Sequence, residues 1–297
     1  MSSTALVLVL LGAMCHALWN VTVKKVAGGP VFVWLFGLVS LLAMSPLALA
    51  AWWIQPQIFS SWMWFAAIAS GLVHVLYSLV LQQGYKVGSF AVVYPVARGT
   101  GPVLTVLAAV LLLGERPSAW GWLGVACVVA GVWLTGFVNR FSGAQQTAKK
   151  VDQSTNQNSA GVLWGVLTGL CICAYTVMDA WAIKSLGMQP ILFYAVGLLV
   201  RTVALAPVAL GQPGKLRQQW ARQHKAIVLV GVLSPTAYLL VLWALQTAPL
   251  SYVAPVREVS MLVGTFLGAK LLKEVIKPSQ FVAAAMMLLG VAMLALA

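Results

Sequence analysis

The sequence predicts an all-α integral membrane protein, ten transmembrane helices built as two inverted five-helix repeats. Three observations carry this. Hydrophobic residues make up 61% of the 297-residue chain and charged residues 8%, against roughly 25% charged in a soluble globular protein. The chain divides into ten apolar runs, each near the roughly 20 residues that cross a bilayer. Residue groups also recur at an offset of about 160 positions, which pairs the first five runs with the last five.

The runs, in order, are 4–24, 30–53, 62–83, 88–113, 118–138, 160–183, 189–210, 226–247, 251–272 and 278–296. The first starts without a basic segment and continues to Val23, so it reads as a span and not as a cleaved leader. Trp52 and Trp53 end the second run, Trp62 and Trp64 open the third, and Trp120 and Trp122 open the fifth, as an interfacial aromatic belt requires. Pro95, Gly99, Gly101 and Pro102 punctuate the fourth run and Pro255 the ninth. Proline removes a backbone donor and crowds the preceding turn, so both spans are expected to kink. Between the fifth and sixth runs lies NRFSGAQQTAKKVDQSTNQNS, a polar stretch read as a linker at 139–159. It separates a first repeat, 1–138, from a second, 160–297. The basic segment at 211–225 is read as a loop with a short interfacial helix.

The recurrences are specific. Pro30 and Gly37-Leu38 return as Pro190 and Gly197-Leu198, Pro95-Val96 as Pro255-Val256, Glu115 as Glu274, and Gly131-Val132 as Gly290-Val291. Five crossings are an odd number, so the second copy is inverted. Inverted repeats are characteristic of alternating-access carriers with a site near the midplane.

Net charge is +13, from 18 Lys and Arg against 5 Asp and Glu. Most of the basic residues sit in loops between apolar runs, which points to membrane topology and not to nucleic acid. Loops after the odd spans hold 13 basic residues and loops after the even spans only Arg116 and Lys184. By the positive-inside rule the odd loops are cytoplasmic and both termini lie outside. Cys15, Cys127, Cys171 and Cys173 all fall within apolar runs and read as packing residues. No metal-ligand cluster and no HExxH, GxSxG or CxxC pattern appears, so no metal, no cofactor and no enzymatic activity are expected.

Ala17-Leu18-Trp19-Asn20 followed by Lys24, then Pro95, then LLLGERPSAWGWLGVACVVAGVWL at 111–134 with its counterpart at 271–294, together resemble the drug/metabolite transporter superfamily, specifically its ten-helix EamA-like group. The resemblance covers essentially the whole chain. It implies a secondary carrier of the bacterial inner (plasma) membrane, often an exporter of amino acids or other small metabolites. No phosphate-binding Gly-Lys-Ser/Thr loop argues for an ATPase. The resemblance also implies cytoplasmic termini, opposite to the loop charges.

Function is expected at polar groups inside the spans, where each one is costly. Arg98, Arg201 and Arg257 lie within runs, against only two acids, Asp179 and Glu258. Arginine grips a carboxylate or phosphate through two parallel hydrogen bonds, so Arg98 and Arg257 are the candidate anion clamp. Glu258 is placed to reach Arg98 across the repeats, and Arg201 is expected to pair internally. His16, Asn20 and Lys24 are spaced i, i+4, i+8 on one helix face, as are His74, Ser78 and Gln82. Tyr175 and Asp179 share a face of the sixth span. Tyr77, Tyr94, Trp164, Tyr175 and Tyr238 are the candidate aromatic walls, and Asp179, Glu258 and His16 the candidate proton carriers. The expected substrate is a small metabolite with an anionic group: an amino acid first, an organic acid or phosphonate-type compound next. The competing expectation is a cationic or lipophilic compound in an aromatic cage around an intramembrane carboxylate. The glycines at 161, 165 and 169, with Gly264 and Gly268, are read as close helix contacts.

Overall fold

The computed structural model describes residues 1–26, 29–88, 90–144, 151–272 and 278–297, with side chains for all of these except 24, 25, 90, 91, 136–144, 151–158, 265 and 268–272. Among the described residues all regular structure is helical: α1 (Ser3–Lys25), α2 (Pro30–Ile54), α3 (Ser61–Val87), α4 (Phe90–Leu112), α5 (Ala119–Ala144), α6 (Val151–Lys184), α7 (Pro190–Leu210), α8 (Pro213–Leu245), α9 (Leu250–Val256), α10 (Val259–Leu272) and α11 (Pro278–Leu296). Eight of these are long and apolar enough to cross a membrane, and the Ala119–Thr135 part of α5 is a shorter apolar helix. The ninth span falls below that length because it is broken into α9 and α10. Counting those two as one gives ten spans in two repeats of five.

Local sequence explains the starts. Ser2 and Ser60 accept from the amides of Ala5 and Met63 as N-caps. Proline opens α2, α7, α8 and α11, where its missing N–H costs nothing. Hydroxyls inside helices are satisfied by the carbonyl four residues back, as at Thr105, Thr135, Thr168 and Thr202.

Two elements differ from the sequence reading. The segment read as a basic loop is the first part of α8, which runs unbroken from Pro213. No residue after that N-terminal proline stops a helix there. The segment read as a linker is helical at both ends, as the last residues of α5 and the first of α6. Residues 145–150 lie outside the described residues, as do Glu274 and the side chains of Lys24 and Gly268.

The repeats pack reciprocally. A β-carbon on Gly131 of α5 would lie 2.5 Å from Met287 Cγ of α11, and one on Gly290 of α11 would lie 2.7 Å from Val128 Cγ2 of α5. At the repeat offset these two contacts are the same contact, exchanged. Gly71 of α3 meets Val200 of α7 as Gly231 of α8 meets Val39 of α2. The helix pairs α1·α8 and α3·α6 exchange in the same way. Gly165 and Gly169 of α6 bring that helix against Val96 and Thr100 of α4, the close approach that small residues permit. Gly264 is different: no atom lies within 4 Å of where its β-carbon would be. There α10 and α11 diverge around an apolar cavity of about 430 Å³ lined by Val259, Leu262, Phe266 and Ala284. The outer surface is apolar, and Trp52, Trp53, Trp62, Trp64 and Trp120 are exposed at helix ends.

Candidate functional site

The ninth span breaks one residue after Pro255. The amides of Glu258, Ser260 and Met261 bond to the carbonyls of Pro255, Arg257 and Glu258. These three-residue bonds wind the chain tightly through the turn before α10 resumes. Proline's missing N–H and its clash with the preceding turn favour a break at this point. The turn presents Arg257 and Glu258. Arg257 lies seven residues from the start of α9, about 10 Å along the axis. Arg98 lies eight residues into α4, which enters from the opposite membrane face. Both therefore lie well inside their spans, about 10–12 Å from the helix starts.

The two arginines have different partners. Arg98 Nε lies 3.0 Å from Glu258 Oε2, with side chains 12% and 6% exposed. The contact is an ion pair set off the hydrogen-bonding axis. A terminal nitrogen of Arg98 donates to Ser260 Oγ at 3.0 Å, and its guanidinium lies 6.0 Å from the centre of the Tyr94 ring. Arg257 sits over Tyr238, 5.4 Å from the ring centre. Among the described residues it makes no ion pair and no side-chain hydrogen bond.

Asp179 is fully buried on α6. Its carboxylate accepts hydrogen bonds from the hydroxyls of Ser70 on α3 and Tyr238 on α8. Beside it, His74 stacks on Tyr175 at 4.0 Å and meets Tyr238 edge-on at 5.5 Å. His74 Nδ1 is 2.9 Å from the Ser70 carbonyl. A carbonyl only accepts, so the proton is on Nδ1 and Nε2 is the free nitrogen. Tyr77 meets Tyr175 edge-on at 5.7 Å. Tyr194 stacks on Tyr238 at 5.3 Å and 28°, and Arg201 lies over Tyr194 at 5.1 Å. Arg201 Nε donates to its own helix at Gly197. Among the described residues Arg201 has no carboxylate partner, so the internal pairing expected for it is to a carbonyl and a ring.

The structure thus joins His74, Tyr77, Tyr175, Tyr238, Asp179 and Arg257 in one cluster, with Arg98, Tyr94 and Glu258 as a second group. His74, Tyr77, Tyr238, Arg201 and Arg257 are each partly exposed. His16 lies within electrostatic range of Arg98 and Arg257 but packs edge-on against Trp19 at 4.8 Å. Asn20 turns its amide back to the His16 carbonyl at 2.9 Å. Trp164 rests its β-carbon over Gly84 of α3 and makes no ring contact with the cluster among the described residues. Ser70, Tyr194 and Ser260 were not anticipated. Tyr194 had one available signal: it sits seven residues before Arg201, on the same helix face.

A second polar group lies at one end of the bundle. Gly114, at φ +67°, turns the chain after α4 and sets Glu115 against α9. The Glu115 carboxylate accepts from the amides of Leu250 at 2.7 Å and Ser251 at 2.8 Å. Lys184 lies 3.4 Å from Glu115 and donates to the Ala248 carbonyl at 2.9 Å.

Three comparisons bear on this arrangement. The model of the EamA-like transporter family matches residues 3–137 and 159–296. A protein of Bacillus subtilis (strain 168) described as "Uncharacterized transporter YwfM" is 23% identical over 260 residues, 86% of this chain and 81% of that protein. A solved crystal structure shares the fold, with a TM-score of 0.71 over 100% of this chain and 98% of its own at 16% identity.

Proposed function

Because this chain belongs to the EamA-like transporter family, a family of multi-pass membrane carriers, we propose that it moves small metabolites bearing an anionic group, with Arg257 as the residue that grips that group. Amino acids come first among these, then organic acids and phosphonate-type compounds. The direction is export, by alternating access of the two repeats around this cluster. The basic odd-numbered loops face the cytoplasm in this reading.

One observation supports this above the others. Both acids inside the bundle are committed, Glu258 to Arg98 and Asp179 to two hydroxyls, while Arg257 has no carboxylate partner among the described residues. An unneutralised guanidinium at membrane depth costs about 3 kcal/mol or more, and a bound anion removes that cost. The competing reading, a cation in an aromatic cage, needs the reverse: a free carboxylate and arginines that are all paired. The commitment of Arg98 to Glu258 moves the proposed clamp from an Arg98–Arg257 pair to Arg257. Asp179 is the proposed proton carrier, since it is hydrogen-bonded to Tyr238, the ring that carries Arg257.

The test is a thermal-shift screen of the purified protein with amino acids, carboxylates, phosphonates and quaternary ammonium compounds, since a ligand of the folded state raises the melting temperature. Stabilisation by anions that disappears in Arg257→Gln is the expected result. Stabilisation by cations alone overturns the reading.

A further inference from the structure

Arg201 and Arg257 are carried on a single aromatic support. Each guanidinium lies over one ring of the stacked Tyr194–Tyr238 pair. Arg201 spends its Nε on the Gly197 carbonyl, which leaves its two terminal nitrogens, the fork that holds a carboxylate, unpartnered among the described residues. Arg257 keeps its whole fork. Both side chains are half-buried, and Asp179 lies within electrostatic range of both.

We propose that this site takes substrates with two anionic groups, of the dicarboxylate class, one carboxylate on Arg257 and the other on Arg201. The proposal rests on the reading that Arg257 binds an anion, and it adds the second prong. Charge balance supports it. Three guanidinium groups inside the bundle face two carboxylates, so a monoanion neutralises the interior only while Asp179 is ionised. A dianion neutralises it when Asp179 holds a proton, taken from water as the substrate enters. The groups facing Asp179 permit that exchange. Ser70 approaches from α3 and Tyr238 from α8, with Tyr175 on α6 itself and His74 stacked on that ring. Arg201 and Arg257 are the cations beside it, while Arg98 on α4 faces Glu258. Dicarboxylate binding therefore strengthens as pH falls, with one proton taken up per substrate.

The experiment compares succinate and glutarate with their monoamides, which keep length and lose one charge, by thermal-shift titration of the full-length protein in detergent. Wild type is expected to bind at least one diacid about tenfold or more tighter than its monoamide. Arg201→Gln is expected to abolish that preference, with diacid and monoamide binding within about twofold of each other. If Arg201→Gln does not fold, Arg201→Lys, which keeps the charge and loses the fork, is expected to lose part of the preference. A monoamide that binds as tightly as its diacid in wild type overturns the second prong and leaves the anion reading standing. Failure of every carboxylate to bind folded wild-type protein overturns both.

Discussion

Arg98 on the first repeat and Glu258 on the second meet at 3.0 Å inside the bundle, both largely buried. Breaking a buried ion pair by removing one partner leaves the other charge uncompensated, at about 3–5 kcal/mol. Arg98→Met and Glu258→Gln are therefore each expected to lower the melting temperature sharply in detergent. The double variant Arg98→Met/Glu258→Met is expected to recover much of the loss, because replacing both ends with apolar groups of similar volume is close to neutral. A double variant no more stable than either single one contradicts the pairing.

Arg257→Gln separates function from folding. The side chain's one partner among the described residues is the Tyr238 ring, and a cation–π contact is worth about 0.5–2 kcal/mol. The variant is expected to fold with no net loss of stability, because the lost ring contact is offset by removal of an unneutralised charge. A charge-assisted hydrogen bond contributes about 1.5–3 kcal/mol, so anion transport into proteoliposomes is expected to fall by about tenfold or more. Wild-type transport by folded Arg257→Gln protein contradicts its role.

Glu115→Ala removes the acceptor of two backbone amides at the start of α9. Losing a side-chain cap costs about 0.5–2 kcal/mol. Hydrogen exchange at Leu250 and Ser251 is expected to accelerate in this variant. Glu115→Gln, with one carbonyl oxygen left, is expected to retain part of the protection.

The reciprocal glycine contact gives a steric prediction. A β-carbon on Gly131 would meet Met287 Cγ at 2.5 Å and the Ala283 carbonyl oxygen at 2.8 Å. Overpacking of this kind costs about 1–3 kcal/mol, so Gly131→Ala is expected to lower the melting temperature. Gly264→Ala, with nothing within 4 Å, is expected to leave it unchanged or raise it by the gain in helix propensity, up to about 1 kcal/mol.

The spans were legible because their signal is one-dimensional. A run of about 20 apolar residues needs no knowledge of its neighbours, and the repeat offset aligned Pro95 with Pro255 and Gly131 with Gly290. The Arg98–Glu258 contact followed from the same offset. What stayed illegible depends on the rotation of one helix against another. Nothing in the sequence near Asp179 says that Ser70 and Tyr238, on two other helices, face it. Asn20 shares a face with His16, yet its amide finds a carbonyl on its own helix first. Gly264 has the composition of a contact glycine, but α10 turns it away from any neighbour.

The Glu115 contact also fixes how the broken span can travel. Two amide bonds, with Lys184 bound to both Glu115 and the Ala248 carbonyl, tie the first turn of α9 to the turn that follows α4. A displacement that keeps those bonds carries the α4–α5 turn along with it. The far end of the seven-residue segment is held to the same neighbour, because Glu258 pairs with Arg98 of α4, so α9 is fastened to α4 at both ends and a rearrangement of one helix carries the other.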